Sequence, residues 1–127
     1  LHTVYLWGYG DRYPIAEIKN ATLAQVEAAV SSIFGMTSSA LAQNSLPDAA
    51  KLKALRKHTS LSKAQVTVFT HLPLIGVSSV TDPTGKTLYY EYDELGRLKR
   101  NYYYENNIMQ ESEKRVLQEY DYHYRNQ

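Results

Sequence analysis

The chain contains no cysteine, and this absence removes several kinds of chemistry at once. Disulfide bonds, a thiolate nucleophile and a cysteine–zinc site all require that residue. No apolar stretch approaches the roughly 18 residues of a membrane helix, so we expect no membrane insertion of this segment. Phenylalanine and tryptophan are also scarce, with two and one among 127 residues.

Neither sign of charge predominates. Fourteen lysines and arginines stand against thirteen aspartates and glutamates, which gives a net charge of +1. A protein that binds DNA or RNA usually carries a clear excess of basic residues. The composition therefore argues against a nucleic acid as a partner.

Sequence patterns for catalysis and for cofactor binding are missing as well. There is no nucleophile elbow, phosphate loop or dinucleotide fingerprint. The histidines are His2, His58, His71 and His123. Only His123 stands two residues from a carboxylate, Asp121, and two ligands make a poor metal site. Glu91 and Asp93 can share a strand face, but exposed carboxylates outside a cleft seldom act as general acid and base. We expect no enzyme activity and no cofactor.

Tyrosine is what the chain has in abundance. It has twelve, and nine of them fall between Tyr89 and Tyr124. Tyrosine suits half-buried strands, where the ring packs and the hydroxyl stays in water. The distribution predicts a sheet with partly exposed faces in the C-terminal third.

Residues 1–20 predict two short strands, over residues 3–7 and 13–18, joined by the turn residues 8–11. Proline cannot donate a hydrogen bond to a neighbouring strand. Pro14 therefore predicts that the second strand lies at a sheet edge or begins only after the proline.

Residues 21–58 predict helices. Thr22 and Gln25 have the spacing of a capping box, and Gly35 offers a left-handed stop. The apolar stripe between them consists of Leu23, Val26, Val30, Ile33 and Phe34. A single apolar stripe must cover another element, and the sheet is the available partner.

Two further helices are predicted, over residues 37–43 and 49–57, the second after the start signal Pro47-Asp48. The second carries Leu52 and Leu55 on one side. Its basic residues lie elsewhere and are Lys51, Lys53, Arg56 and Lys57. They form either a solvated face or a site for an anionic partner.

Residues 64–127 predict β-hairpins, because the hydrophobic period changes to two at Gln65. One strand covers residues 65–71 and the next covers 75–81, with a break at Leu72-Pro73-Leu74. Asp82, Pro83 and Gly85 then occupy preferred positions of a type I turn.

The same Asp-x-x-Gly pattern returns eleven residues later at Asp93 and Gly96, and a degraded version follows at residues 104–107, where Asn107 can adopt positive φ. The strands between these turns predict an antiparallel meander. One face of the first strand would hold Leu88, Tyr90 and Tyr92. One face of the following strand would hold Leu98, Tyr102 and Tyr104.

Residues 81–98 resemble the YD repeat of Rhs-type proteins. The hallmark is a Tyr-Asp pair running into Gly-Arg-Leu, here Tyr92-Asp93 and Gly96-Arg97-Leu98. The resemblance covers residues 76–107. The flanking residues 7–9, 13–21 and 120–124 are similar to the C-terminal region of large cell-surface Rhs-repeat proteins of Bacteroidetes-type bacteria.

The resemblance implies a large exported protein whose repeats wind β-sheet into strips or shells. It implies a cell-surface or secreted location, with the upstream repeats of the same parent chain as the principal partner. After Tyr104 the repeat pattern fails, which suits a unit that closes the array. A closing strand would hold Tyr120, Tyr122 and Tyr124 on one face.

We therefore expect an α+β fold, in which an antiparallel sheet of YD-type hairpins carries two or three helices on one face. Residues 1–127 form a single domain or a terminal fragment. The expected function is structural, as a terminal cap. The alternative is a module that binds glycan or protein at the cell surface, with Tyr89, Tyr103 and Tyr122 as candidate contacts.

A third possibility comes from the resemblance alone. Some Rhs proteins cleave themselves near an Asp-Pro-x-Gly-Leu sequence. Asp82-Pro83-Thr84-Gly85 matches its first four positions, but Lys86 replaces the leucine and more repeat follows. We expect this segment to be a turn.

Overall fold

Every strand of the sheet pairs with its neighbours along the chain. The computed structural model describes residues 2–44 and 47–122. The strands are β1 (Thr3–Gly8), β2 (Tyr13–Lys19), β3 (Gln65–Leu72), β4 (Gly76–Thr81), β5 (Thr87–Tyr92), β6 (Leu98–Tyr104) and β7 (Lys114–Glu119). They form one sheet in the order β1 to β7, and each adjacent pair is antiparallel. The expected α+β class and hairpin meander are confirmed.

Three α-helices lie between β2 and β3. They are α1 (Leu23–Phe34), α2 (Ser38–Ala42) and α3 (Ala49–Ala54), and α3 is followed by the 3₁₀ turns Leu55–Lys57 and Thr59–Leu61. The capping box of α1 is present as predicted, with Thr22 and Gln25 bonded in both directions, and Gly35 ends the helix at φ +70°. Leu23 is exposed, so the buried stripe begins at Val26.

The helices cover only the first part of the sheet. They contact β1 and β3, and together with β2 these strands enclose the hydrophobic core. The sheet contributes Leu6, Ile15, Ala16, Ile18, Val66 and Val68 to it. The helical segment contributes Val26, Val30, Phe34, Leu41, Leu52, Leu55 and Leu61. Burial of each large side chain stabilises the fold by about 1.5–3 kcal/mol.

Beyond Val68 the described chain has no buried hydrophobic residue. The residues buried there are polar: Ser79, Thr81, Thr87 and Asn101. Thr81 and Thr87 face each other across β4 and β5, with their hydroxyls 2.8 Å apart. The molecule therefore has a core half, made of the helices and β1–β3, and a hairpin half, made of β4–β7.

The interpretation of Pro14 was wrong. The strand β2 includes Pro14 and lies between β1 and β3. The pairing of β2 with β3 begins only at Ala16, so Pro14 lies outside that ladder. The missing N–H of the proline therefore leaves no β3 carbonyl without a donor. On the other side Pro14 lies opposite Trp7, next to a β-bulge at Ile15.

A second bulge changes the faces predicted for β6. Glu91 pairs with Arg100, whereas Tyr92 pairs with Leu98, so Lys99 is the extra residue. An extra residue moves every later side chain to the opposite face. The alternation predicted that Leu98 shares a face with Tyr102 and Tyr104. This prediction was wrong, because the bulge places Leu98 on the opposite face. The three residues predicted to share a face of β5 do share it, because that strand carries no extra residue.

The chain after β6 also differs from the expected closing strand. Two 3₁₀ turns, Glu105–Asn107 and Glu111–Glu113, precede β7. Asn107 has φ +58°, as its turn position predicted. The last described strand ends at Glu119, so Tyr120 and Tyr122 follow it instead of forming it, although Tyr120 N still donates to Lys99 O. Tyr124 lies outside the described residues.

Candidate functional site

The first hairpin turn is organised by the side chain of Asp82. Its Oδ1 accepts hydrogen bonds from the backbone amides of Thr84 and Lys86, each at 3.0 Å, and from the Thr84 hydroxyl. Gly85 N donates to Asp82 O at 2.9 Å and has φ +93°. Burial alone would raise the pKa of Asp82, but these hydrogen bonds outweigh it and lower the pKa. Pro83 holds the second turn position.

The second turn has the same backbone hydrogen bonds as the first, but its aspartate is bonded to different side-chain groups. Asp93 Oδ1 accepts from the amides of Leu95 and Arg97, each at 2.9 Å, and its Oδ2 accepts from Arg97 Nε at 2.8 Å. The Arg97 amide bond is the largest cause of the lowered pKa of Asp93. Gly96 has φ +78°. The Asp, Gly and Arg of the Tyr-Asp/Gly-Arg motif thus close one hairpin turn.

The tyrosine of that motif ties two strands together. The Tyr92 hydroxyl donates to Val77 O in β4 at 2.8 Å. Gly76 gives the ring its space, because a methyl group added at Gly76 would overlap the Tyr92 hydroxyl. The motif residues therefore have local structural roles in the hairpin half.

The candidate binding tyrosines do not meet. Tyr89 lies on the sheet face that carries the helices, where it pairs across the strands with Ser79 and Tyr102. Tyr103 lies on the opposite face, with the Lys86 ammonium 4.2 Å from its ring centre. Tyr122 stacks beneath the Arg97 guanidinium and donates to Leu98 O at 2.7 Å. They do not form one flat platform.

A different tyrosine set does converge. The rings of Tyr89 and Tyr102 are stacked with centres 5.4 Å apart, and Tyr104 meets both edge-on at 5.6 and 5.7 Å. Burial, followed by the neighbouring Tyr104, raises the pKa of Tyr89 and of Tyr102. The ammonium of Lys114 lies 4.3 Å from the Tyr102 ring centre. We call Tyr89, Tyr102 and Tyr104 the tyrosine cluster.

A cavity of about 220 Å³ separates the tyrosine cluster from the helical segment. It is lined by Lys53, Gly85, Thr87, Tyr89, Tyr104, Asn107 and Met109. The Arg56 guanidinium lies against Gly85 at its rim. We call this the junction cavity, because α3, the first turn and the tyrosine cluster all contribute to it.

The two outer strands of the described sheet are unlike each other. The strand β1 has no charged residue, and Tyr5 and Trp7 are 50% and 43% exposed. Asn20 N donates to His2 O at 2.8 Å, so His2 and Asn20 form a hydrogen-bonded pair. In an antiparallel ladder hydrogen-bonded pairs alternate with non-hydrogen-bonded pairs. The backbone groups of Thr3 and Tyr5 therefore point away from β2. A cavity of about 260 Å³ lies between β1 and α2.

The strand β7, in contrast, begins with Lys114-Arg115 and ends with Glu119. Glu119 also forms an ion pair with Arg100 of β6 at 2.9 Å. Charged residues on an outer strand discourage pairing with another chain. The β1 edge of the sheet can therefore accept a further strand, whereas the charges of β7 disfavour pairing at the other edge.

No family model, curated protein or solved structure matches the chain.

The sequence patterns did not reveal the surroundings of His71. Its Nε2 lies 2.6 Å from Pro14 O, and its ring stacks on Tyr13 with centres 5.0 Å apart. His71 N donates to the Tyr9 hydroxyl at 2.9 Å, and Leu74 N donates to the Tyr13 hydroxyl at 3.1 Å. The aromatic residues near the start of the chain, spaced four apart, were the available signal. They support the β3–β4 hairpin.

Within residues 2–44 and 47–122, no three histidine, aspartate or glutamate side chains are grouped as a metal site would require. None of the helices in that part is long and apolar enough to cross a membrane. His123, one of the two residues of the weak His–Asp pair, lies outside the described residues.

Proposed function

We propose that the chain is the closing unit of a β-sheet array, a structural module of a larger Rhs/YD-repeat protein. Sheet that precedes it in the parent chain would add to β1, and β7 would end the array. The observation that carries the proposal is the difference between the two outer strands: uncharged and open at β1, charged and ion-paired at β7.

The hairpin half supports the same proposal. It has no buried hydrophobic residue, and it is held by turn hydrogen bonds, the tyrosine cluster and ion pairs such as Glu91–Arg100 at 2.9 Å. Units of a repeat array contact chiefly their neighbours, and the array needs an atypical unit at its end. The long connection before β7, which replaces a third tight turn, is the atypical feature here.

The direction of the chain fits this arrangement. Because the sheet order follows the chain order without a crossover, a strand that precedes β1 would be placed at the open edge by one short turn. A cell-surface or secreted location belongs to the same proposal and is supported by the Tyr-Asp/Gly-Arg resemblance.

The coding sequence that precedes residue 1 tests the proposal. We expect it to encode further Tyr-Asp/Gly-Arg units in the same reading frame, spaced as Asp82 and Asp93 are. A start codon directly before Leu1, or an upstream segment without such units, would overturn the capping function. Neither outcome bears on ligand binding at the junction cavity.

A further inference from the structure

The junction cavity carries an inference that is independent of the capping function. It is bounded on three sides by separate elements: Lys53 from α3, Gly85 from the first turn, and Tyr89 with Tyr104 from the tyrosine cluster. None of its lining residues is acidic. A concave site with aromatic walls and a few polar groups is the usual form of a small-molecule site.

Two cations at this cavity have no counter-charge. Neither Lys53 nor Arg56 has a carboxylate within 4 Å in the part of the chain that the structure describes. In the hairpin half, by contrast, Arg97, Arg100 and Lys114 each pair with an acidic side chain. Lys86, which has no such pair within the described ranges, lies over the Tyr103 ring instead. Asp82, the acidic residue of the turn that contains Gly85, already accepts hydrogen bonds from the amides and the hydroxyl of that turn.

The Tyr89 hydroxyl in the cavity wall also lacks a strong hydrogen-bond partner among the residues that the structure describes. The Tyr89 hydroxyl is 3.9 Å from the sulfur of Met109, a weak acceptor. Tyr89 is only partly buried, so its hydroxyl can still donate to a bound ligand. Asn107, whose backbone has φ +58°, also lines the cavity.

We propose that the junction cavity binds a small ligand that carries a carboxylate on a ring, with the carboxylate at Lys53 and Arg56 and the ring against Tyr89 and Tyr104. Arginine and lysine form their strongest hydrogen bonds with such oxyanions. An aromatic wall offers the ring a flat apolar surface, and the Tyr89 hydroxyl donates to a ring substituent. An acidic sugar and an aromatic carboxylate share this chemistry.

The test is a titration of the ¹⁵N-labelled protein with glucuronate, 4-hydroxybenzoate and glucose, followed through the backbone amide signals of Gly85, Tyr89 and Asn107. One or both of the carboxylates should shift these signals, and glucose should not. A response to glucuronate alone identifies the acidic sugar as the source, and a response to 4-hydroxybenzoate alone identifies the aromatic acid. Added salt should weaken the binding.

The variants Lys53→Met and Arg56→Met should each weaken binding about fivefold, the usual effect of one partly exposed charge pair. Lys51→Met and Lys57→Met are the matched controls, since both side chains are exposed on the same helical segment and neither lines the cavity. These two should bind as the wild type does.

Three results would overturn the proposal. Binding of both carboxylates weaker than about 10 mM would show that the cavity is not a site for them. An equal response to glucose would show that the ligand's carboxylate does not contribute to binding. Equal losses in the control variants would assign the binding to general positive charge on the helical segment.

Discussion

Arg56 and Gly85 meet where the helical segment contacts the first hairpin turn. The guanidinium lies so close to the glycine that a methyl group at this position would overlap it. Gly96, the equivalent residue of the second turn, has no atom within 4 Å in that direction. The two turns share a backbone conformation but differ in their surroundings, which provides a matched pair of substitutions.

Gly85→Ala is expected to lower the free energy of unfolding more than Gly96→Ala does. Both glycines have positive φ, and a side chain in that conformation costs about 1–2 kcal/mol. Only at Gly85 must Arg56 also move, and because the contact is with the end of a flexible side chain we expect this to add about 0.5 kcal/mol. Urea denaturation measures the difference, and it should disappear when both substitutions are made in an Arg56→Ala background. Equal losses in the wild-type background would contradict the contact.

Stability is expected to decrease at acidic pH because of the two turn aspartates. The folded protein holds the pKa of Asp82 and of Asp93 below their ordinary value of 3.8. Their contribution is therefore complete above that value and is lost as the pH falls through the lower folded pKa. Asp93→Asn should flatten the loss of thermal stability between about pH 5 and pH 2. Glu94→Gln is the control, because it removes a carboxylate of the same turn but none of the amide bonds to Asp93. An unchanged slope in Asp93→Asn would exclude this origin.

Amide exchange should divide the sheet into its two halves. The strands β2, β3, β5 and β6 each have a neighbour on both sides, so ladder hydrogen bonding alone predicts similar protection. Only β2 and β3 lie on the hydrophobic core, and local opening requires less free energy where few apolar contacts are lost. We expect amides in β5 and β6 to exchange faster than those in β2 and β3. Equal protection across all four strands would mean that the halves unfold together.

The parts of the fold that could be predicted from the sequence are those set by neighbouring residues. Thr22, Gln25 and Gly35 define α1 because caps act within one helical turn. The turns at Asp82 and Asp93 are equally local, since each aspartate bonds to amides at most four residues away.

The bulge at Lys99 could not be predicted in this way. Alternation in the sequence assumes an unbroken register, and one extra residue reverses it without any change of composition. The junction cavity was missed for a related reason. Lys53 and Arg56 were recognised as basic residues that could meet an anion, but their position beside Gly85 depends on how the helical segment packs along the sheet.

Leu74 offers a stabilising substitution. It lies in the β3–β4 hairpin loop at φ +67°, and its side chain is 88% exposed, so it contributes little packing. Leu74→Gly should raise the free energy of unfolding by about 1 kcal/mol, because glycine removes the cost of the left-handed conformation. Leu95→Gly is the control: that leucine is 70% exposed in a hairpin turn but has negative φ. It should destabilise, and a gain at both positions would refute the explanation.

The open edge at β1 should make the chain associate with itself when no other strand is present to pair with it. Tyr5 lies in the middle of this edge, where its backbone groups point outward, and a lysine there adds a charge that a paired strand would have to bury. Sedimentation velocity at increasing protein concentration should therefore show dimers for the wild type and monomers for Tyr5→Lys. Glu17, which now accepts from the Tyr5 hydroxyl at 2.9 Å, can pair with the new lysine, so the fold should be retained.

The matched variant is Leu117→Lys, which adds the same charge to an exposed position of β7. Because β7 already carries Lys114, Arg115 and Glu119, pairing through that edge is disfavoured in the wild type, and the substitution should leave the dimer unchanged. If Leu117→Lys also abolished the dimer, association would not be specific to β1. If the wild type stayed monomeric at every concentration, the β1 edge would be closed by the chain itself, and the capping function would lose the contrast between edges on which it depends.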